Sequence, residues 1–249
     1  MRIQNRQISG KQQKLYAEIE RNNANNLFAQ YHTYLETLAG NDNLTIIDIG
    51  GGSGHFSNKV KTFFNENDTN TSINVIDYCK YDDWSLFSEI NFIEESAFTA
   101  LEKFQDNSVD VIFLNSILHH LIMDTYEKTR KTQEKLIEIT YRKIRENGLV
   151  FVKECYYQNF ILRDFSTPIV YFMTTSKLPF MTKLSSKLGS KSAGVGVCFL
   201  SPKAWRKVFS DTEFIVVNSQ ENILKWVRYP LIQEQFFSFV LTKAGVANK

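Results

Sequence analysis

Residues that interrupt or cross-link a fold are scarce in this chain. Four prolines and eleven glycines in 249 residues leave no room for long linkers or low-complexity tracts. The three cysteines, Cys79, Cys155 and Cys198, lie far apart without a C-x-x-C pair, which argues against a disulfide framework or a cysteine zinc site, so no metal is expected. No apolar run reaches the ~18 residues of a membrane span. The opening stretch, MRIQNRQISGKQQKLYAEIE, has no apolar leader core. An excess of one charge is also missing: 29 basic against 27 acidic side chains leave a formal charge of +2, too balanced to signal nucleic-acid binding. The expectation from these absences is a soluble protein in a reducing, cytoplasmic setting, without nucleic acid as a partner and without a membrane span.

What the chain does have is apolar mass. Hydrophobic residues make up 43% and aromatic residues 14%, with 20 phenylalanines and 11 tyrosines. That suits a single α/β domain with a substantial core.

One stretch organises the rest. Thr45–Ser57 reads TIIDIGGGSGHFS: a β-branched apolar run ending in Asp48, glycines at 50, 51, 52 and 54, then a helical segment from Phe56 to Phe64. Strand, glycine turn and helix in that order form a tight loop beneath a helix N-terminus, open to close approach by a ligand. Two registers compete. The dinucleotide pattern G-x-G-x-x-G, started at Gly50, finds His55 where its third glycine belongs, which disfavours a dehydrogenase. The pattern D-x-G-x-G-x-G is met in full by Asp48, Gly50, Gly52 and Gly54. It resembles motif I of the class I S-adenosylmethionine-dependent methyltransferases.

Downstream residues fit that resemblance. A buried strand over Ser72–Ile76 ends in Asp77, and in an open parallel sheet ligands bind beyond the carboxyl ends of the strands. An acid there can grip both hydroxyls of a ribose, with Tyr78 beside it. A short third strand, Asn91–Ile93, is followed by Glu95 and Ser96, where the family meets the adenine. Two adjacent glutamates fit a solvated turn equally well. Val109–Leu121, VDVIFLNSILHHL, is a near-continuous apolar run of the kind buried on both faces of a parallel sheet. It ends at Asn115 and Ser116 and leaves carrying His119 and His120. A charged helix over 124–145 with Asp124 as N-cap, and a fifth strand over Leu149–Glu154, complete the core.

The resemblance implies a three-layer α-β-α Rossmann-like fold with a seven-stranded sheet in the order 3-2-1-4-5-7-6, the last strand antiparallel. The whole chain, 1–249, then reads as one methyltransferase domain. Residues 11–40 form a helical lid, split by the asparagines at 22–26, and 44–156 the cofactor core. Residues 157–200 are a substrate cap rich in lysine and aromatics, and 201–242 a helix and strand hairpin. Ser201-Pro202 starts that helix as N-cap and first residue. The implied cofactor is S-adenosylmethionine, leaving S-adenosylhomocysteine as product, bound by Asp48, Gly50, Gly51, Gly52, Gly54, Asp77, Tyr78, Glu95, Ser96, Asn115 and Ser116.

For the chemistry, S-I-L-H-H with K-E-C at 153–155 resembles the small-molecule O-methyltransferases of the catechol-phenol type. Carried over by position, His119 is the general base, Glu154 its orienting partner, and His120 a neighbour. His120-Leu121 replaces that family's usual Asp-Trp, so packing at the cofactor's edge remains an alternative for both histidines, and direct amine binding an alternative for Glu154. Tyr16, Tyr156, Tyr157 and Arg163 are candidate substrate contacts. The expected acceptor is a small, partly apolar molecule, anionic or carrier-tethered. N- or C-methylation of a small or lipid-like acceptor, or a non-catalytic cofactor-binding member of the fold, stays open, as does the choice between monomer and homodimer.

Overall fold

The computed structural model describes residues 10–159, 166–176, 196–226 and 232–244. They build a seven-stranded mixed sheet in the order β3-β2-β1-β4-β5-β7-β6, the order that the resemblance implied. In chain order the strands are β1 (Leu44–Ile49), β2 (Thr71–Asp77), β3 (Ile90–Glu94), β4 (Val109–Asn115), β5 (Ile144–Asn159), β6 (Phe214–Trp226) and β7 (Ile232–Lys243). Parallel registers set Asp48 beside Val75 on one neighbour and Phe113 on the other, and Asp77 beside Glu94. Two acids therefore stand at the carboxyl ends of adjacent parallel strands, where such sheets bind ligands.

The described residues form two compact units. One is built from Gln7–Asn115 and Ile139–Phe151. Its helices are α1 (Gly10–Glu36), α2 (His55–Glu66) and α3 (Ala97–Leu101). The asparagines at 22–26 do not divide α1, which runs unbroken for 27 residues. All four are exposed, and each costs only about 0.7 kcal/mol of helix propensity at most. Burial of Ala24, Tyr31 and Leu35 on the opposite face outweighs that cost. The Tyr31 ring lies 4.5 Å from Phe151 and stacks on Phe113 at 5.8 Å.

The other unit is chiefly Ser116–Glu138 and Val152–Leu241. Trp205 and Phe209 stack at 5.8 Å along α6 (Pro202–Asp211), and Phe209 meets Phe239 of β7 edge-on at 5.2 Å. Each such buried ring contributes on the order of 1.5–3 kcal/mol. Ser201 caps α6 by accepting the Ala204 N–H at 3.3 Å, with Pro202 in the first turn, as its sequence requires. The cap of α4 (Tyr126–Lys143) differs from expectation. Thr125, rather than Asp124, receives the Lys128 N–H on its hydroxyl at 3.2 Å. Asp124 instead pairs with the Lys128 ammonium at 2.8 Å. Strand β5 also begins earlier and ends later than Leu149–Glu154, running on through 157–159, where the cap was expected to start. Within 157–200 the structure describes a helix, α5 (Ser166–Thr175), and the segment 196–200.

Candidate active site

The glycine loop is shaped by what surrounds it. Gly54 takes φ +86, a left-handed conformation, and a Cβ there would sit 2.7 Å from the Phe92 ring. At Gly51 a Cβ would fall 2.5 Å from Asp48 Oδ2. Only glycine lets this backbone lie so close over the Asp48 carboxylate. Asp77 closes the loop from the side: Oδ2 accepts the Gly52 N–H and Oδ1 the Cys79 N–H, each at 3.1 Å. The Trp84 indole N–H donates to the Gly52 carbonyl at 2.8 Å, and its ring stacks on Phe92 at 4.7 Å.

Helix α1 contributes a third acid. Glu20 Oε2 accepts both the backbone N–H and the hydroxyl of Ser53 at 2.7 Å. Beside it, Arg21 reaches Asp83 at 2.9 Å, and Asp83 also bonds His55 at 2.9 Å. Glu20 Oε1 also accepts the Phe56 N–H at 3.4 Å, supplying from outside the capping oxygen that α2 lacks at its own N-cap, Gly54.

Among the described residues, no cation forms an ion pair with Glu20, Asp48 or Asp77. Asp48 is 2% exposed; its Oδ2 accepts the Ser57 hydroxyl at 2.7 Å and its Oδ1 is buried without a partner. Burial first, and the Glu20 and Asp77 charges second, push Asp48 up to about 7. Asp77 is pushed up to about 6, again mainly by burial, and Glu20 is raised for the same reason. A buried and two half-buried acids, with an orphaned oxygen and a glycine-lined floor, suit a ligand that brings positive charge and hydroxyls.

The second cluster lies in the 3₁₀ turn Leu118–His120, just past the end of β4. Glu154 on β5, 2% exposed, accepts the Leu118 N–H at 2.7 Å through Oε1 and meets His119 Nδ1 at 2.6 Å through Oε2. A carboxylate that accepts on both oxygens places a ring proton on Nδ1; in the neutral ring Nε2 then keeps its lone pair. The His119 ring also stacks on Phe199 at 4.8 Å and lies 4.1 Å from the exposed His120.

The remaining sequence candidates scatter. Gly50 and Gly52, both at positive φ, belong to the loop. Tyr78 is exposed. Ser96 spends its hydroxyl capping α3, accepting the Thr99 N–H at 3.0 Å. Glu95 pairs with Lys103 through Oε1 and keeps Oε2 buried without a partner, while its N–H donates to the Asp77 carbonyl. Asn115 accepts the Tyr31 hydroxyl at 2.8 Å on Oδ1, and its Nδ2 is buried and unpartnered. Ser116 takes φ +55 and donates its N–H to the Lys153 carbonyl at 2.7 Å. Tyr156 hydrogen-bonds Gln235. The side chains of Tyr16 and Tyr157, and Arg163 altogether, lie outside the described residues. The sequence reading missed Glu20, Ser57 and Trp84. Glu20 carried a usable signal: with Ala24 and Tyr31 it falls on one helical stripe, an acid in line with apolar residues.

Comparison with known proteins decides the class. The profile described as "Methyltransferase domain" matches residues 40–213. The chain belongs to the methyltransferase-domain family. Its cofactor is S-adenosylmethionine and its chemistry is methyl transfer from it. A search of curated protein sequences gives no match. Solved structures share the fold at low identity. A SAM-dependent methyltransferase from Archaeoglobus fulgidus is 13% identical with a TM-score of 0.54, covering 92% of this chain and 99% of its own. A putative sarcosine dimethylglycine methyltransferase from Galdieria sulphuraria is 10% identical with a TM-score of 0.58, covering 89% and 85%. A phospholethanolamine N-methyltransferase from Haemonchus contortus, solved with phosphomonomethylethanolamine and S-adenosylhomocysteine, is 12% identical with a TM-score of 0.51, covering 87% and 53%. The residues present fit the cofactor: it brings a sulfonium, an ammonium and a ribose diol, and the loop offers unneutralised carboxylates and a floor free of side chains. Among the described residues no helix is long and apolar enough to cross a membrane.

Proposed function

We propose that this methyltransferase methylates a hydroxyl of a small, partly apolar acceptor, with His119 as general base. The observation that carries the reading is the 2.6 Å contact between His119 Nδ1 and buried Glu154, which leaves Nε2 as the proton acceptor. When bound, S-adenosylmethionine supplies an electrophilic methyl group for in-line displacement. The protein's task is to orient a nucleophile and remove its proton. His119 Nε2 takes that proton, and Glu154 fixes the ring and steadies the imidazolium that forms. Asp77 would hold the ribose hydroxyls and the Gly50–Gly54 loop the methionyl end, with Asp48 supplying negative charge beneath it.

Amine acceptors form the second reading, favoured by the two neighbours whose names specify methylation of amines. On this reading His119 removes the ammonium proton. Direct amine binding by Glu154 is the alternative on this reading, although each of its oxygens already accepts one donor. Labelled S-adenosylmethionine, offered with a panel of phenols, hydroxy acids and primary to tertiary amines, separates the two. His119→Ala should lower turnover of a hydroxyl acceptor by about 10²–10⁴-fold, the usual yield of general-base catalysis. Calorimetry should show its cofactor affinity unchanged. Near-normal rates at every pH would mean that His119 only packs.

A further inference from the structure

We propose that Gln133 is a positioning residue for His119: its one carboxamide ties the backbone of the His119 turn to the backbone of the segment carrying Phe199, fixing the imidazole by edge and face together. This rests on His119 being the base, and it adds a residue that no motif marks.

Gln133 lies mid-way along α4 and is 0% exposed. Its Nε2 donates to the Leu118 carbonyl and to the Cys198 carbonyl, both at 2.9 Å. Because both partners are carbonyl oxygens, only the NH₂ end of the amide can satisfy them, so the side chain has one possible orientation. The cost of that arrangement is visible. Oε1 is left buried with no donor, and a buried acceptor without a partner is destabilising. An apolar side chain of similar volume would remove that orphan but strip the Cys198 carbonyl of its donor, so the amide is kept for the backbone groups it joins.

What it positions surrounds the imidazole. Leu118, whose carbonyl Gln133 holds, gives its N–H to the same Glu154 that meets His119 Nδ1. Cys198, whose carbonyl Gln133 also holds, gives its N–H to the His119 carbonyl at 3.0 Å. The next residue, Phe199, stacks on the His119 ring with 29° between planes. Loss of the amide would leave the Cys198 carbonyl without this donor and the Leu118 carbonyl with only the Leu121 N–H, so that the Cys198 N–H to His119 carbonyl bond alone would join the two backbones. A general base displaced by a fraction of an ångström loses its alignment with the proton it must take.

The experiment compares the full-length wild type with Gln133→Met, close in volume but without donors, and Gln133→Asn, which keeps the amide but cannot reach both carbonyls. Long-range ¹H–¹⁵N spectra of ¹⁵N-histidine-labelled protein report the His119 tautomer without any acceptor. The wild type should show one tautomer, protonated on Nδ1. In both variants it should split into a mixture, with kcat at least tenfold lower and KM for the cofactor within twofold. Should Gln133→Met not fold, Gln133→Asn decides alone. A single Nδ1-protonated tautomer together with kcat within twofold of wild type overturns the inference. If His119→Ala keeps full turnover, the base assignment fails instead, and the tautomer spectra still report whether Gln133 orders the ring.

Discussion

Replacing Asp48 by asparagine should make the cofactor-free protein more stable at alkaline pH and worse at binding its cofactor. The carboxylate is 2% exposed, has one hydrogen bond, from Ser57, and is pushed up to about 7. An aspartate in the unfolded chain titrates near ~3.9, so the folded state disfavours the charge by about three pH units, or about 4 kcal/mol at 1.36 kcal/mol per unit. Between those two values the folded protein holds the extra proton. Stability is therefore fully retained below about pH 4 and falls as pH rises through about 7. Asparagine cannot ionise and removes the whole penalty, but its amide leaves a new buried donor costing about 1–3 kcal/mol. The net gain above pH 8 is then about 1–3 kcal/mol, which at ~2–4 °C per kcal/mol for a chain of this size raises Tm by about 2–12 °C. Circular-dichroism melts from pH 4 to 8.5 without cofactor provide the check. The variant should melt above wild type at pH 8.5, and the gap should close or reverse at pH 4, where Asp48 is neutral in both states. A variant that melts below wild type at pH 8.5 would refute the idea that this charge is held at a cost for function.

Two further outcomes follow from the same loop. Asp77→Ala should weaken S-adenosylmethionine binding by about 1–3 kcal/mol, the scale of a lost charge-assisted hydrogen bond, and an unchanged dissociation constant by calorimetry would remove Asp77 from the cofactor site. Glu20→Ala leaves the Ser53 N–H and hydroxyl without their acceptor, and amide exchange at Ser53 and Phe56 should speed up at least tenfold, as expected for a loss of about 1.5–3 kcal/mol; equal exchange rates would show that α1 does not restrain the loop.

What could be read from the sequence was local. Asp48, the glycines and Asp77 sit where strands end, and strand ends are marked by β-branched runs giving way to turn residues within a few positions. Helix α6 announced itself because its cap and its proline are adjacent. The misreadings arose where tertiary packing overrode a local preference. The asparagines of α1 favour turns, yet buried residues on the other face hold the helix straight through them. Asp124 and Thr125 are both acceptable caps, and Thr125 takes the role because the helix starts at Tyr126. Glu20 and Trp84 were harder still, since they meet the loop from 33 and 32 positions away, and no spacing rule links residues that far apart.

The two acid clusters differ in a way that separates their roles. Glu154 is buried and each of its oxygens has a donor within 2.7 Å from the His119 turn, so its charge is committed to that turn. Asp48, Asp77 and Glu20 differ in having no cation paired with them among the described residues. Asp48 is buried with one oxygen unpartnered, Asp77 and Glu20 are half-buried, all three are raised by desolvation, and the first two are raised further by the Glu20 charge. Folding alone would select against such a group, since neutral side chains would fill the same space without the repulsion. A cationic ligand reverses the balance, because its charge offsets the mutual repulsion of the carboxylates that makes the empty loop costly. By linkage, a ligand that favours the charged carboxylates must also lower the pH at which they titrate. Saturating S-adenosylmethionine should therefore shrink the loss of stability between about pH 4 and 7 and end it at lower pH, as well as raising Tm. S-adenosylhomocysteine, which lacks the sulfonium charge, should shrink it less.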